Sequence, residues 1–190
     1  MNRYVGVLAP AAAEPLDLAM LEDVVDLVVD MAMVRACLVV PDGCDEAVRD
    51  VVWPGMPVVD VADRTVGAAV IALAAVGADE AGIVVPDAPD LPALLLGKLH
   101  SALTTADIAV CPAEDGRLVA AAARLPIARW AADVTLDDAD ALERLRTAAP
   151  RRALHVGAGW HRVRGETDAR TLDPGLEGWE HTRALLAQGR

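Results

Sequence analysis

Gly82-Ile83-Val84-Val85-Pro86-Asp87-Ala88-Pro89-Asp90-Leu91-Pro92 is the stretch on which the fold turns. Its opening residues, Gly82–Pro86, are continuously apolar with no alternation, the pattern of a central parallel strand buried on both faces. The residues after them switch to Pro and Asp, which end a strand and start a turn. Upstream, strand-like runs at Tyr4–Ala9, Ala36–Pro41 and Pro57–Val61 are separated by helical ones. The segment from Pro15 to Met33 sets Leu18, Leu21, Val24, Val25, Val28 and Met31 on one side and Asp23, Asp26 and Asp30 on another, which is helical spacing. A short helix is expected over Asp45–Val51 and an Ala-rich one over Arg64–Val76, stopping near Gly77.

Downstream, a helix over Leu94–Leu103 leads to a strand at Ile108–Cys111. This alternation predicts βαβ units: an α/β fold, three-layer αβα, with a mostly parallel central sheet of Rossmann-like topology. After Cys111 the rhythm fails. Arg117–Ala123 fits a strand or a helix, Asp137–Ala148 a helix with an Asp-rich start, Ala153–Val156 a further strand, and Glu177–Leu186 a helix in a polar tail. The expected organisation is one nucleotide-binding-type domain over residues 1–156, with a C-terminal extension, 157–190, packing on it.

A chain of 190 residues suffices for one well-buried core. Its 54% apolar content would suit a membrane, but Asp, Glu or Pro interrupts every apolar run short of a spanning length, so no membrane partner is expected. Seventeen basic residues against 29 acidic ones give a formal charge of −12, which repels phosphate backbones and argues against nucleic acid. An anionic nucleotide would be repelled too unless a divalent cation or an arginine cluster offset that field. Cys37, Cys44 and Cys111 form neither an even disulfide set nor a C-x-x-C spacing, and no basic leader precedes the first strand, so a reduced, cytoplasmic protein is expected. An apolar helix face would serve a homo-oligomer, although such a face reads the same as ordinary core.

In open parallel sheets, ligands bind beyond the carboxyl ends of the strands. Two acidic loops leave that edge: Pro86–Pro92, and Pro112-Ala113-Glu114-Asp115-Gly116. If their strands are neighbours, Asp87 and Asp115 come together, and paired carboxylates suit Mg²⁺ or Mn²⁺ beside substrate phosphates. The same residues also serve as ordinary turn and helix-cap chemistry. His100, His155, His161 and His181 have no zinc-like spacing, and Ser101, the only serine, is not in a nucleophile elbow.

Ile83–Pro92, followed by Val110-Cys111-Pro112-Ala113-Glu114-Asp115-Gly116 and by Ile127-Ala128-Arg129-Trp130, resembles the paired motif of a bacterial A-type glycosyltransferase-fold family. That family is nucleotide-diphospho-sugar transferase-like and related to 2-phospho-lactate and molybdenum-cofactor guanylyltransferases. The resemblance covers Val5 to Leu145. It implies a metal-dependent nucleotidyl- or glycosyltransferase with a nucleotide or nucleotide-sugar donor and Mg²⁺ or Mn²⁺. It carries Asp87 and Asp115 over as catalytic and metal residues, and Pro10, Asp87, Asp90 and Gly116 as nucleotide contacts.

The sequence also departs from the family. Where the family has a glycine-bearing loop with Lys and Arg after its first strand, this chain reads Leu8-Ala9-Pro10-Ala11-Ala12-Ala13-Glu14-Pro15-Leu16. The family's Asp-Gly-Gly-Tyr becomes Asp115-Gly116-Arg117-Leu118, and Glu166-Thr167-Asp168 stands as a remnant of its late Asp-x-Asp-Thr segment. These departures open the alternative of a catalytically silent relative acting as a binding or assembly module. The arginines of Trp160–Arg170 suit a segment that folds over the sheet edge and supplies missing cations, one that faces a partner, or a solvated tail with one anchoring Trp.

Overall fold

The computed structural model describes residues 2–188. In chain order the elements are β1 (Arg3–Leu8), α1 (Pro15–Val29), β2 (Arg35–Pro41), α2 (Glu46–Arg49), β3 (Val58–Val61), α3 (Val66–Ala75), β4 (Glu80–Val84) and α4 (Ala93–Ala102). They continue with β5 (Ile108–Pro112), β6 (Leu118–Arg124), α5 (Arg129–Ala132), α6 (Ala141–Ala148), β7 (Leu154–Val156), α7 (Glu166–Ala169) and α8 (Glu180–Gln188). The fold is mixed α/β around one seven-stranded sheet of order β3-β2-β1-β4-β6-β5-β7. β6 runs antiparallel to both its neighbours, and the other strand pairs are parallel.

The core follows from the composition of the strands. Every residue of β4 is buried, and so are Val5, Val7 and Leu8 of β1 and Leu38, Val39 and Val40 of β2. Each fully buried Val, Leu or Ile contributes roughly 1.5–3 kcal/mol relative to an exposed one. Thr65 starts α3 where the sequence has its only hydroxyl cap nearby: its Oγ1 accepts the Ala68 amide at 3.1 Å.

Arg117–Ala123 resolves as strand β6. The run Ala120–Ala123 has helical propensity, but its small side chains fit between β4 and β5, and Gly116, at φ +86°, makes the reversal that pairs β5 with β6 as a hairpin. That placement corrects the expected adjacency of the two acidic loops' strands, because β6 lies between β4 and β5. The long helix over Pro15–Met33 ends at Val29, and α6 starts at Ala141 rather than Asp137. Before α6, residues 134–136 run along the carboxyl edge: Val66 donates its amide to the Val134 carbonyl at 2.8 Å, and Leu118 to that of Leu136 at 2.9 Å.

Asp23 also departs from the helical-wheel reading. It is 1% exposed, and its carboxylate accepts the backbone amides of His181 at 2.8 Å and Thr182 at 2.9 Å. The acid on α1 thereby caps the first turn of α8, where unpaired N–H groups and the helix dipole favour negative charge. Met20, Val163, Ala169, Leu172 and Trp179 form a second small apolar cluster that holds the C-terminal extension against α1.

Candidate functional site at the carboxyl edge

The carboxyl ends of β1, β3, β4 and β5, the start of β6 and the edge segment before α6 deliver their loops to one side of the sheet. A strap over residues 157–164 then closes across them. It leaves β7 alongside β5, with Gly157 donating to the Val110 carbonyl at 2.9 Å and Trp160 to that of Pro112 at 3.0 Å. It passes beyond β6 to the loop after β4, where the Val163 amide reaches the Asp87 carbonyl at 2.7 Å.

This course puts Arg162 onto Asp87. The guanidinium Nε donates to both carboxylate oxygens at 2.9 and 3.0 Å, and Nη2 donates to Oδ2 at 2.8 Å. The same Nη2 lies 2.7 Å from Asp137 Oδ1, while Nη1 reaches the carbonyls of Leu136 at 3.2 Å and Leu118 at 3.4 Å. Arg64, from the loop after β3, extends the network with an ion pair to Asp137 Oδ2 at 3.5 Å and a hydrogen bond to the Ala9 carbonyl in the loop after β1. Burial pushes the Asp87 carboxyl above its ordinary range, against the pull of Arg162. Asp137 is also penalised by burial, but Arg162 and Arg64 together hold it below that range.

Asp115 lies in the β5–β6 turn on different partners. Arg117 binds it at 3.1 Å and Arg164 of the strap also pairs with it. Burial works against ionisation here, but the Arg117 amide and the two guanidinium groups together hold the carboxyl below its ordinary range. Asp87 and Asp115 are therefore each tied to the strap, through arginines on either side of Val163. Asp168, in the Glu166–Asp168 segment, caps the strap by accepting the Arg164 amide at 3.0 Å.

The other expected site residues have structural surroundings. Asp90 is buried, and its Oδ1 accepts from Trp160 Nε1 at 3.1 Å and meets His161 Nε2 at 2.9 Å. Gly116 donates to the Ala113 carbonyl, and its own carbonyl accepts the Leu142 amide at 3.1 Å. A Cβ there would collide with the Ala139 carbonyl. Pro10 sits in the loop after β1, half-buried, next to the Ala9 carbonyl that Arg64 holds. Cys37 and Cys111 are buried free thiols pushed up to about 12 and about 11, too high for thiolate chemistry.

Sequence reasoning missed Arg64 and Asp137. Each reads as a helix-start residue, in Asp63-Arg64-Thr65 and in Asp137-Asp138. The available signal was the position of Arg64 just after a parallel strand, at the edge where ligands bind. Among the described residues no group of three or more His, Cys, Asp or Glu side chains is placed to hold a metal ion. A cleft of about 350 Å³ opens beside the strap, lined by Glu114, Asp115, His161, Arg162, Arg164 and Asp168. No described helix is long and apolar enough to cross a membrane.

No family profile and no curated protein matches the chain. Solved structures do. A protein of Desulfovibrio desulfuricans G20 assigned as a nucleotide-diphospho-sugar transferase superposes with a TM-score of 0.66 at 17% identity, over 99% of this chain and 98% of that one. Rv0371c of Mycobacterium tuberculosis H37Rv, in complex with manganese, gives 0.61 at 20% identity, over 93% and 100% of the two chains. A CMP:2-keto-3-deoxy-manno-octonic acid synthetase complexed with CTP gives 0.57 at 15% identity over the whole of both chains. At these identities the likeness is one of architecture, and the chain has the fold of the nucleotide-diphospho-sugar transferases.

Proposed function

We propose that this protein is a binding module of the transferase fold, with its helices in a three-layer Rossmann-like arrangement, recognising a nucleotide or nucleotide sugar at the carboxyl edge. The observation that carries this reading is the commitment of Asp87: both its oxygens are held by Arg162, which Asp137 and two carbonyls hold in turn. As arranged, these residues do not fit a divalent cation, because the carboxylate oxygens a metal would need are bonded to a guanidinium. Asp115 is likewise committed to Arg117 and Arg164.

The cleft beside the strap carries Glu114, Asp115 and Asp168 against Arg162 and Arg164. A triphosphate placed there meets an acidic excess, whereas sugar hydroxyls and a nucleoside find donors and acceptors of both kinds. Arg64, from the loop after β3, reaches the loop after β1 through the Ala9 carbonyl and brings a cation to the place where phosphates would be cradled. A nucleotide sugar is therefore the preferred ligand class over a nucleoside triphosphate.

A second reading, a metal-dependent nucleotidyl- or glycosyltransferase with Asp87 and Asp115 as its acids, draws support from the manganese and CTP complexes of the similar structures. One thermal-shift panel separates the two. Nucleoside di- and triphosphates and nucleotide sugars are tested with and without Mn²⁺, since a ligand that binds only the native state raises its stability. A shift that ignores Mn²⁺ supports the binding module. A shift that requires Mn²⁺ and disappears in Asp87→Asn transfers the site to the second reading, and a flat panel removes nucleotides from the account.

A further inference from the structure

We propose that the Arg162 guanidinium is a built-in cation, occupying the oxygen-lined position where a divalent ion would otherwise sit and making this edge of the fold independent of metal. The geometry is convergent. Asp87 Oδ2 and Asp137 Oδ1 approach a single nitrogen, Nη2, at 2.8 and 2.7 Å, so that one positively charged group bridges two carboxylates. The Leu136 and Leu118 carbonyls close on Nη1 at 3.2 and 3.4 Å. Every polar partner of the side chain is thus an oxygen, two of the groups anionic and two neutral, which is the donor set of a hard cation. The distances are hydrogen-bond lengths, however, longer than the roughly 2.0–2.6 Å at which such ions hold their oxygens.

Two further features make the arrangement a fixture. The Arg162 side chain is only 12% exposed. Its backbone is pinned through Val163 to the Asp87 carbonyl, and through Trp160 to the end of β5. With Arg64 also on Asp137, the two carboxylates are matched by two guanidinium groups, which leaves no surplus negative charge to recruit an ion. A planar guanidinium, permanently charged and able to serve several acceptors at once, meets this demand where lysine would offer a single point charge. The inference rests on the reading above that this is the ligand-facing edge.

The test uses Mn²⁺ alone, with no nucleotide, so that its failure and failure of the nucleotide reading are separate results. Free Mn²⁺ is followed by electron paramagnetic resonance as it is titrated into the full chain. The wild type is expected to show no binding that depends on Asp87. Arg162→Ala removes the guanidinium and keeps the oxygens. It is expected to bind Mn²⁺ and to melt about 5–10 °C higher at a hundredfold excess over its Kd. Both effects are expected to vanish in Arg162→Ala with Asp87→Asn, while Arg162→Lys stays unresponsive to the ion. Should Arg162→Ala be unfolded without metal, recovery of its circular dichroism on adding Mn²⁺ is the supporting result. Wild-type binding of Mn²⁺ that is lost in Asp87→Asn overturns the proposal, and so does an Arg162→Ala protein, folded or not, that gives no response to the ion.

Discussion

Asp87 and Asp115 lie in two loops at the same edge and meet two arginines of the same strap, yet the pairs differ in kind. Arg162 is buried to 12% exposure and shares its donors among two carboxylates and two carbonyls, whereas Arg164 is 62% exposed and meets an Asp115 that Arg117 also binds. In the first pair water is largely excluded, so removing one partner strands a poorly solvated charge. In the second, water and Arg117 take over. The same sequence pattern, an aspartate facing an arginine, therefore fixes the architecture at one loop and leaves the other adjustable.

The largest effect that would sharpen this comparison is expected from Arg162→Ala, which should lower stability by about 3 kcal/mol in urea unfolding. The double variant Asp87→Ala, Arg162→Ala should be less damaged than the sum of the singles, because neither charge is left stranded. Strict additivity would break the account of a coupled pair. A smaller loss, about 1–2 kcal/mol, is expected from Asp23→Ala, which leaves the amides of His181 and Thr182 uncapped. Its mark should be local: faster hydrogen exchange over α8, with the sheet still protected.

Arg164→Ala stands lower still, under about 1 kcal/mol, and that small loss should shrink further in high salt. A loss equal to that of Arg162→Ala would erase the distinction between the two loops.

The smallest effect concerns pH at the far end of the extension. His181 lies 3.1 Å from Glu22 and 3.0 Å from Asp26. Partial burial works against its protonation, but Asp26, Asp23 and Glu22 raise its pKa above the ordinary histidine value. The native state then binds the proton more tightly than the unfolded chain. The stabilisation is fully present below the ordinary histidine range and is lost as pH rises through the higher folded value. A pH series of melting temperatures should slope downward there in the wild type and flatten in His181→Gln.

The parts of this fold that were legible in the sequence are those where one local pattern has one meaning. The unbroken Gly82–Pro86 run marks β4, although the strand starts at Glu80 and ends at Val84, and the alternation from Tyr4 to Cys111 became the mostly parallel sheet. Ala120–Ala123 was ambiguous because alanine favours helix in isolation, and only the gap between β4 and β5 makes it a strand. Asp23 was grouped with Asp26 and Asp30 on the side away from the apolar residues, because its partner, the start of α8, lies 158 residues further along the chain. The site shows the same limit: the acidic loops and the Trp160–Arg170 arginines stood out, but no local rule pairs Arg162 with Asp87, 75 residues away, or brings Arg64 and Asp137 to meet them.

The most direct test of the central claim is a crystal of the wild-type protein grown in excess Mn²⁺, with an anomalous difference map at the manganese edge. The account predicts the Arg162 guanidinium between Asp87 and Asp137 and no anomalous peak at that position. A manganese peak bridging the two carboxylates, with Arg162 displaced, would contradict it.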